Sequence, residues 1–153
     1  MSPAKTLVLA VDQGTTNTKA ILVDPAGQVV GRASEGLSVT YPQPSWVEQD
    51  AVAIWQSVQK CIDEVLAAAP ARTSAPIALG ISNQRESVVL WDRGTGEPLA
   101  PCVIWQCQRG VQLVDELKLQ GVTDDVHKRT GLALDPMFSA SKMSWLLDNV
   151  SGA

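Results

Sequence analysis

The chain has 153 residues, of which 45% are hydrophobic and 18% are charged, a composition typical of a globular domain with a hydrophobic core. Its formal net charge is -4 and its 12 lysines and arginines are scattered, so we expect no nucleic-acid surface. No apolar run approaches the ~20 residues that span a bilayer. Residues 1–6 lead straight into a predicted strand without the pattern of a signal peptide, so we predict a cytoplasmic protein with no membrane partner.

The N-terminal part of the chain places a small polar turn between two apolar, strand-like runs, residues 7–11 and 20–23. Gly14 lets the backbone of this turn approach a ligand, and its neighbours offer N–H groups and hydroxyls to anionic oxygens. Asp12 ends the first run, where its carboxylate can face Mg²⁺ or its water shell, and Lys19 adds a positive charge. The pattern predicts a β-hairpin that binds phosphate, without the spacing of a Walker A loop. An ordinary hairpin turn with a solvated Asp12 is the alternative.

The segments after this hairpin extend the sheet and then become helical. A turn at 24–27 and a strand over 28–33 complete an N-terminal antiparallel meander, and a loop follows over 35–50. Asp50 is the predicted N-cap of a helix. Apolar residues recur in this helix at intervals of three and four, which predicts a face packed on a core: Ala51, Ile54, Trp55, Val58, Cys61, Ile62, Val65 and Leu66.

The middle of the chain predicts an α/β unit followed by a second hairpin. Residues 70–76 end the helix and lead to a short buried strand over 77–81. The second hairpin has strands over 87–91 and 101–105, joined by a turn at 92–96.

Three helices are predicted in the remaining part. The first has an apolar face made by Val111, Val114 and Leu117. The second covers 123–130 and ends at Gly131. The last carries four apolar residues: Met143, Leu146, Leu147 and Val150. His127, the single histidine, is predicted to lie on a helix surface.

The cysteines predict neither a disulfide framework nor a zinc site. Cys61, Cys102 and Cys107 are odd in number and form no C-x-x-C pair, so we expect reduced thiols. Cys61 is most simply a small residue of the core.

A second polar cluster follows the predicted buried strand, at residues 82–86. Ligands usually bind at this end of the strands in open α/β sheets. Arg85 and Glu86 together present the donors and acceptors that recognition of a polyol's hydroxyls requires. From these five residues alone, a structural ion pair or a solvated turn is the favoured explanation.

Together the two clusters change this balance, because the sequence resembles the FGGY family of carbohydrate kinases and, within it, most closely the glycerol kinases. The matching segments occur in the family's order and cover nearly the whole chain: 11–16, 41–42, 44–50, 80–86, 103–109, 130–132 and 135–139.

The resemblance implies an α/β fold of the actin-like, ribonuclease-H-like ATPase type, in two lobes, with a mixed sheet, an N-terminal antiparallel meander and flanking helices. Residues 1–153 would be an incomplete N-terminal domain, with the C-terminal lobe absent. The implied reaction is ATP-dependent phosphorylation of a polyol or sugar hydroxyl with Mg²⁺, with glycerol to glycerol 3-phosphate favoured. Another acceptor within the family and a non-catalytic, truncated binding module are the alternatives. The full-length form could be a homo-oligomer.

The resemblance assigns two sets of site residues. The first set would bind the nucleotide phosphates and Mg²⁺: Asp12, Gly14, Thr15, Thr16, Asn17 and Lys19. Asp12 would contact the Mg²⁺ ion indirectly. The second set would bind the acceptor: Gln84, Arg85, Glu86, Trp105 and Met137. Lys19 stands where glycerol kinases usually have arginine. A planar guanidinium is thereby replaced by a compact ammonium group. Met137 stands where they typically have a tyrosine that helps to bind the acceptor, so a hydroxyl partner is lost.

The resemblance assigns no catalytic residue to this chain. The aspartate that serves as general base in the family would lie beyond residue 153. We therefore expect the isolated chain to have negligible kinase activity. We also expect it to be marginally stable, because apolar faces and strand edges that should pack on the absent part would be exposed.

Overall fold

The computed structural model describes residues 6–69 and 76–153. Their contacts define two compact units. The first unit lies within Met1–Ser38 and Val52–Gln84, and the second lies within Val39–Ala51 and Arg85–Ala153. None of the described helices combines the length and the apolar character needed to cross a membrane. In chain order the elements are β1 (Val8–Gln13), β2 (Asn17–Val23), β3 (Val29–Gly36), β4 (Glu48–Gln49), α1 (Ala51–Ala67), β5 (Ala78–Asn83), β6 (Cys102–Val103), α2 (Val111–Leu119), α3 (Thr123–Thr130) and α4 (Ser139–Asn149).

A four-stranded mixed sheet with the order β3-β2-β1-β5 forms the first unit. The first three strands are the predicted antiparallel meander, whereas β5 runs parallel to β1. The parallel strand needs a crossover, which the long helix α1 supplies between β3 and β5. The predicted mixed α/β sheet is therefore confirmed, although β3 extends three residues beyond the predicted end at residue 33.

The core of the first unit lies between one face of this sheet and α1. Alternate residues of the first two strands point to this face, as the period of a strand requires. The buried cluster contains Leu7 just before β1, Leu9, Val11, Ala20 and Leu22 from the sheet, and Cys61 and Val65 from α1. Each large aliphatic side chain buried in this way contributes about 1.5–3 kcal/mol to folding. Cys61 is thus a core residue, as predicted.

Two predictions about burial in this unit are wrong. The run 77–81 was expected to be buried, but all six residues of β5 are exposed, and Ile77, Leu79 and Ile81 are 72%, 52% and 71% exposed. The reason is that β5 is the end strand of the sheet, and apolar composition cannot show whether a strand has a neighbour on both sides. The apolar stripe of α1 is also narrower than predicted, because Trp55 and Leu66 are exposed. Most of the predicted helix-ending segment, residues 70–75, lies outside the described residues.

The second unit contains a small sheet that sequence analysis missed. β4 pairs antiparallel with β6, so the predicted loop over 35–50 holds a short strand near its end. The predicted second hairpin is mostly wrong: Val88 and Val103 exchange two backbone hydrogen bonds of 2.9 Å, but residues 87–91 form no strand. The distant segment β4, not the neighbouring run, is the strand partner of β6. The predicted turn is confirmed, since the Asp92 carboxylate accepts hydrogen bonds from two backbone N–H groups of that turn.

The three predicted helices of this unit are confirmed with small changes. Gly131 ends α3 with a left-handed φ of 72°, and its N–H donates to the carbonyl of His127 at 2.8 Å. His127 is exposed on that helix, as expected. Leu146 is the buried apolar residue of α4, whereas Met143 and Leu147 are exposed. Val150 was predicted inside the helix but follows it with extended backbone.

A buried arginine connects three segments of the second unit. Arg109 is 8% exposed, and its Nη2 donates to Glu48 Oε1 at 2.6 Å while its Nε donates to Cys107 Sγ at 3.0 Å. The guanidinium lies 4.1 Å from the ring centroid of Trp46 and 4.7 Å from that of Trp145. Stacking on aromatic faces and pairing with a carboxylate both suit a planar guanidinium better than an ammonium. We call these five residues the Arg109 cluster.

The Arg109 cluster predicts a large loss of stability when the arginine is removed. Replacing Arg109→Met leaves the half-buried carboxylate of Glu48 without its cation, so we expect the free energy of unfolding to fall by about 3–5 kcal/mol in urea titrations. The matched control is Arg129→Met, which removes an exposed i,i+4 pair with Asp125 and should change it by less than about 0.5 kcal/mol. Equal, small effects of both substitutions would contradict this account.

The burial of the three cysteines can be tested by the reactivity of their thiols. All are buried, and burial raises the pKa of Cys61 and raises that of Cys102 to about 11. Because the thiolate is the reactive form, we expect none of the three thiols to react with Ellman's reagent in the native chain at mildly alkaline pH. All three should react in concentrated guanidinium chloride. Rapid reaction of any thiol without denaturant would show that the core opens readily.

Candidate functional site

The first polar cluster lies at the turn between β1 and β2. The N–H of Gly14 donates to the carbonyl of Asn17 at 3.0 Å, which closes the turn. A Cβ on residue 14 would lie only 3.0 Å from that carbonyl oxygen, so the tight turn favours glycine. The carbonyl of Thr16 accepts a hydrogen bond of 2.8 Å from Leu37, which fixes the turn to the chain after β3. Thr15 is half-buried and Thr16 is exposed, so part of the turn is open to a ligand.

Gln84 belongs to this same cluster. Its N–H donates to the carbonyl of Gln13 at 2.7 Å, and its side-chain amide donates to Gln13 Oε1 at 3.3 Å. Thr15 Oγ1 donates to Gln84 Oε1 at 3.3 Å. The residue after β5 therefore anchors the predicted phosphate turn. Sequence analysis assigned Gln84 to the acceptor, which stays a prediction, and it missed Gln13 because the pairing of β1 with β5 cannot be read from the local pattern.

Asp12 and Lys19 face each other across the hairpin. They are direct partners in the antiparallel register, so both side chains lie on the same face of the sheet, and both are exposed. The neighbouring residue Thr18 points to the other face, where its hydroxyl lies 2.6 Å from that of Ser57 in α1. This buried contact fixes the start of β2 against the helix, so that the exposed pair has a rigid support.

The donor set of the turn fits Mg²⁺ held mainly by phosphate. Among the residues that the structure describes, no group of three or more aspartate, glutamate, histidine or cysteine side chains could hold a metal by itself. Mg²⁺ in kinase sites is usually bound by one or two carboxylates, several waters and the phosphates of the substrate. One exposed carboxylate, Asp12, beside a turn in which Thr16 is exposed is consistent with that mode.

The second polar cluster lies in the second unit, around Glu86. The φ of Glu86 is 65°, in the left-handed region that residues other than glycine rarely adopt. Its Oε2 accepts hydrogen bonds from the N–H of Ser139 at 3.2 Å and from its Oγ at 3.0 Å. Since Ser139 is the first residue of α4, a carboxylate is stabilised there by the positive end of the helix dipole. Sequence analysis could not find this contact, because 53 residues separate the two positions.

The other predicted acceptor residues of this unit have different surroundings. The N–H of Trp105 donates to Ser87 Oγ at 3.3 Å, which places Trp105 next to the residue after Glu86. Arg85 is exposed, and Met137 is half-buried, with its N–H donating to Asp135 Oδ1 at 2.7 Å. The N–H groups of Trp105 and Met137 and the carboxylate of Glu86 are thus each held by hydrogen bonds within the second unit.

A buried lysine that sequence analysis missed lies beside them. Lys142 is fully buried in α4, and its Nζ donates to the carbonyls of Pro136 at 3.0 Å, of Phe138 at 3.1 Å and of Met137. Burial lowers the pKa of Lys142, against the opposite effect of the Glu86 carboxylate. Its spacing of four residues from Leu146 was the available signal, since i,i+4 positions share a helix face and Leu146 points to the core.

Comparison with known proteins identifies the family of this chain. The model for the FGGY family of carbohydrate kinases, N-terminal domain, matches residues 7–153. The chain belongs to this family. The glycerol kinase of Shewanella pealeana is 46% identical over 149 residues, which are 97% of this chain and 30% of that protein. The glycerol kinase of Shewanella halifaxensis is 45% identical over the same shares.

Solved structures agree with this assignment. The crystal structure of Plasmodium falciparum glycerol kinase with ADP matches with a TM-score of 0.88 at 30% identity, over 97% of this chain and 30% of that one. A xylulose kinase from Rhodospirillum rubrum matches with a TM-score of 0.86 at 27% identity, over 94% of this chain and 30% of its own. The predicted actin-like ATPase fold is therefore confirmed. The FGGY chain described here spans about 30% of the length of the curated relatives it matches.

Proposed function

We propose that this chain is the N-terminal part of a cytoplasmic kinase that transfers the γ-phosphoryl group of ATP to a hydroxyl of a polyol, with glycerol as the favoured acceptor. The observation that carries the proposal is the 46% identity to a glycerol kinase over 97% of the chain. The two polar clusters described above both lie within the matched residues. ATP, Mg²⁺ and a small polyol are the partners that follow, and the longer protein could be a homo-oligomer.

The phosphate turn has groups that can position the transferred phosphoryl group and stabilise its charge. Negative charge spreads over the phosphoryl oxygens in the transition state, so catalysis is largely positioning and charge stabilisation. The turn of residues 14–17, in which Thr16 is exposed, would donate hydrogen bonds to these oxygens, and Lys19 would add a cation. Asp12 would hold Mg²⁺ through its water shell, and the bound metal would neutralise charge between the phosphates.

The cluster around Glu86 has the chemistry to bind a polyol. A carboxylate accepts hydrogen bonds from hydroxyls and a guanidinium donates to them, so Glu86 and Arg85 together can fix adjacent hydroxyls of the acceptor. Trp105 would pack against the carbon skeleton. Met137 adds apolar bulk without a hydroxyl, and Gln84 would complete the acceptor set.

The proton of the acceptor hydroxyl requires a general base. Asp12 is committed to the metal in this proposal, and Glu86, with one oxygen held by Ser139, is assigned to binding of the acceptor. We therefore propose that the base comes from a segment outside residues 1–153, and that these residues include no catalytic residue. A non-catalytic module that binds glycerol or ATP without turnover is the competing function.

A coupled assay of ADP release tests the proposed function. We expect a longer protein that carries this sequence at its N-terminus to phosphorylate glycerol, and the 153-residue chain to show no glycerol-dependent turnover. In the longer protein Asp12→Asn should lower kcat/KM by about 100-fold, because the metal loses charge compensation. The matched control is Asp24→Asn, in an exposed turn whose side-chain oxygen the substitution keeps.

Three results would contradict parts of this proposal. A longer protein without activity on any polyol or sugar would refute the kinase function, and calorimetric binding of glycerol without product would favour the binding module. Turnover by the isolated chain at kinase rates would refute the proposal that the general base lies outside residues 1–153. Equal effects of the two aspartate substitutions would refute the role of Asp12.

Met137 predicts a change in acceptor preference. In the longer protein, Met137→Tyr adds a hydroxyl beside the acceptor set, so we expect the KM for glycerol to fall by about 10-fold relative to larger polyols, since a polar partner discriminates strongly for a substrate hydroxyl. Values of KM for a panel of polyols, compared between the unmodified longer protein and its Met137→Tyr variant, measure this preference. Identical profiles would show that position 137 does not select the acceptor.

A further inference from the structure

We propose that Lys142 is a positioning residue for the acceptor site: it fixes the segment 136–138 and thereby holds Met137 and Glu86 in one arrangement. The inference rests on the proposed acceptor role of those two residues. Lys142 was not among the residues that sequence analysis assigned to the site.

The first argument is that Lys142 holds the backbone of three successive residues. An ammonium group has three donors, and all three point to carbonyl oxygens, those of Pro136, Met137 and Phe138. Met137 is fixed on both sides of its backbone, because its N–H donates to Asp135 while its carbonyl accepts from Lys142. The direction in which the Met137 side chain leaves the backbone is therefore determined by these bonds.

The second argument is that the same segment continues into the contact with Glu86. Ser139 follows Phe138 directly, and both its N–H and its hydroxyl donate to Glu86 Oε2. Within the described part of the chain, Glu86 Oε1 has no hydrogen-bond partner, so it is the oxygen left to accept from an acceptor hydroxyl. A left-handed φ at a non-glycine residue persists only where its surroundings hold it. A shift of Ser139 would therefore move Glu86.

The third argument concerns the cost of burying a charge. Lys142 is fully buried, and taking an ammonium out of water costs several kcal/mol unless its donors are satisfied. A methionine would fill the same space without that cost but would leave three carbonyls without a donor. The gain from the lysine is thus a fixed geometry of residues 136–138.

Steady-state kinetics of the longer kinase test this role. We expect Lys142→Met to raise the KM for glycerol by about 10- to 100-fold while the KM for ATP changes less than about twofold, because the lost bonds are charge-assisted and lie on the acceptor side. Ser139→Ala removes one of the two bonds to Glu86 and should raise the KM for glycerol by about 3- to 10-fold. Lys118→Met, an exposed lysine of α2, is the matched control and should change neither constant.

The outcomes separate this inference from the proposed function. If the unmodified protein phosphorylates no polyol, the proposed function fails. If it is active and the Lys142 variant alters both KM values equally or neither, the positioning role is overturned. Should that variant fail to fold, Ser139→Ala decides, since an unchanged KM for glycerol would overturn the coupling of this segment to Glu86.

Discussion

The parallel pairing of β5 with β1 is the constraint on which the candidate site depends. It brings Asn83 opposite Gln13, and the next residue, Gln84, then donates its N–H to the carbonyl of Gln13. Without this pairing the phosphate turn would lose its bonds to Gln84 and keep the bonds of Gly14 to Asn17 and of Leu37 to Thr16. The pairing also determines the point at which the chain leaves the first unit and continues into Arg85 and Glu86. Backbone hydrogen bonds, rather than side-chain chemistry, thus place the first cluster.

The second unit buries charged side chains, and these need partners inside the protein. Arg109 and Lys142 are both buried cations: Arg109 donates to Glu48 and Cys107, and the three donors of Lys142 reach carbonyl oxygens. Buried charges of this kind add little net stability, but removal of one partner leaves the other uncompensated. They therefore favour one arrangement of the loops over others. In Glu86, one carboxylate oxygen accepts two hydrogen bonds at the start of α4, and in our proposal the other oxygen binds the acceptor.

Local pattern was enough to predict the elements whose partners lie nearby in sequence. The hairpin of β1 and β2, the face of α1 around Cys61 and the end of α3 at Gly131 all follow from spacing within a few residues. Local pattern also indicated both polar clusters, and the family resemblance then assigned the nucleotide phosphates and the acceptor to them.

What local pattern could not predict depends on contacts between distant segments. The pairing of β4 with β6, the bonds of Gln84 to the phosphate turn and the contact of Glu86 with Ser139 all join residues more than 50 positions apart. The burial of β5 was misjudged because an apolar run does not reveal its neighbours. Lys142 was overlooked because a charged residue in a helix is usually solvated.

The most direct measurement is a crystal structure of the longer protein with ADP, Mg²⁺ and glycerol. The account predicts phosphate oxygens within hydrogen-bond distance of the turn that contains Gly14, and a glycerol hydroxyl donating to Glu86 Oε1 while Oε2 stays bonded to Ser139. A structure in which glycerol binds elsewhere, or in which the phosphates do not touch the turn, would contradict it.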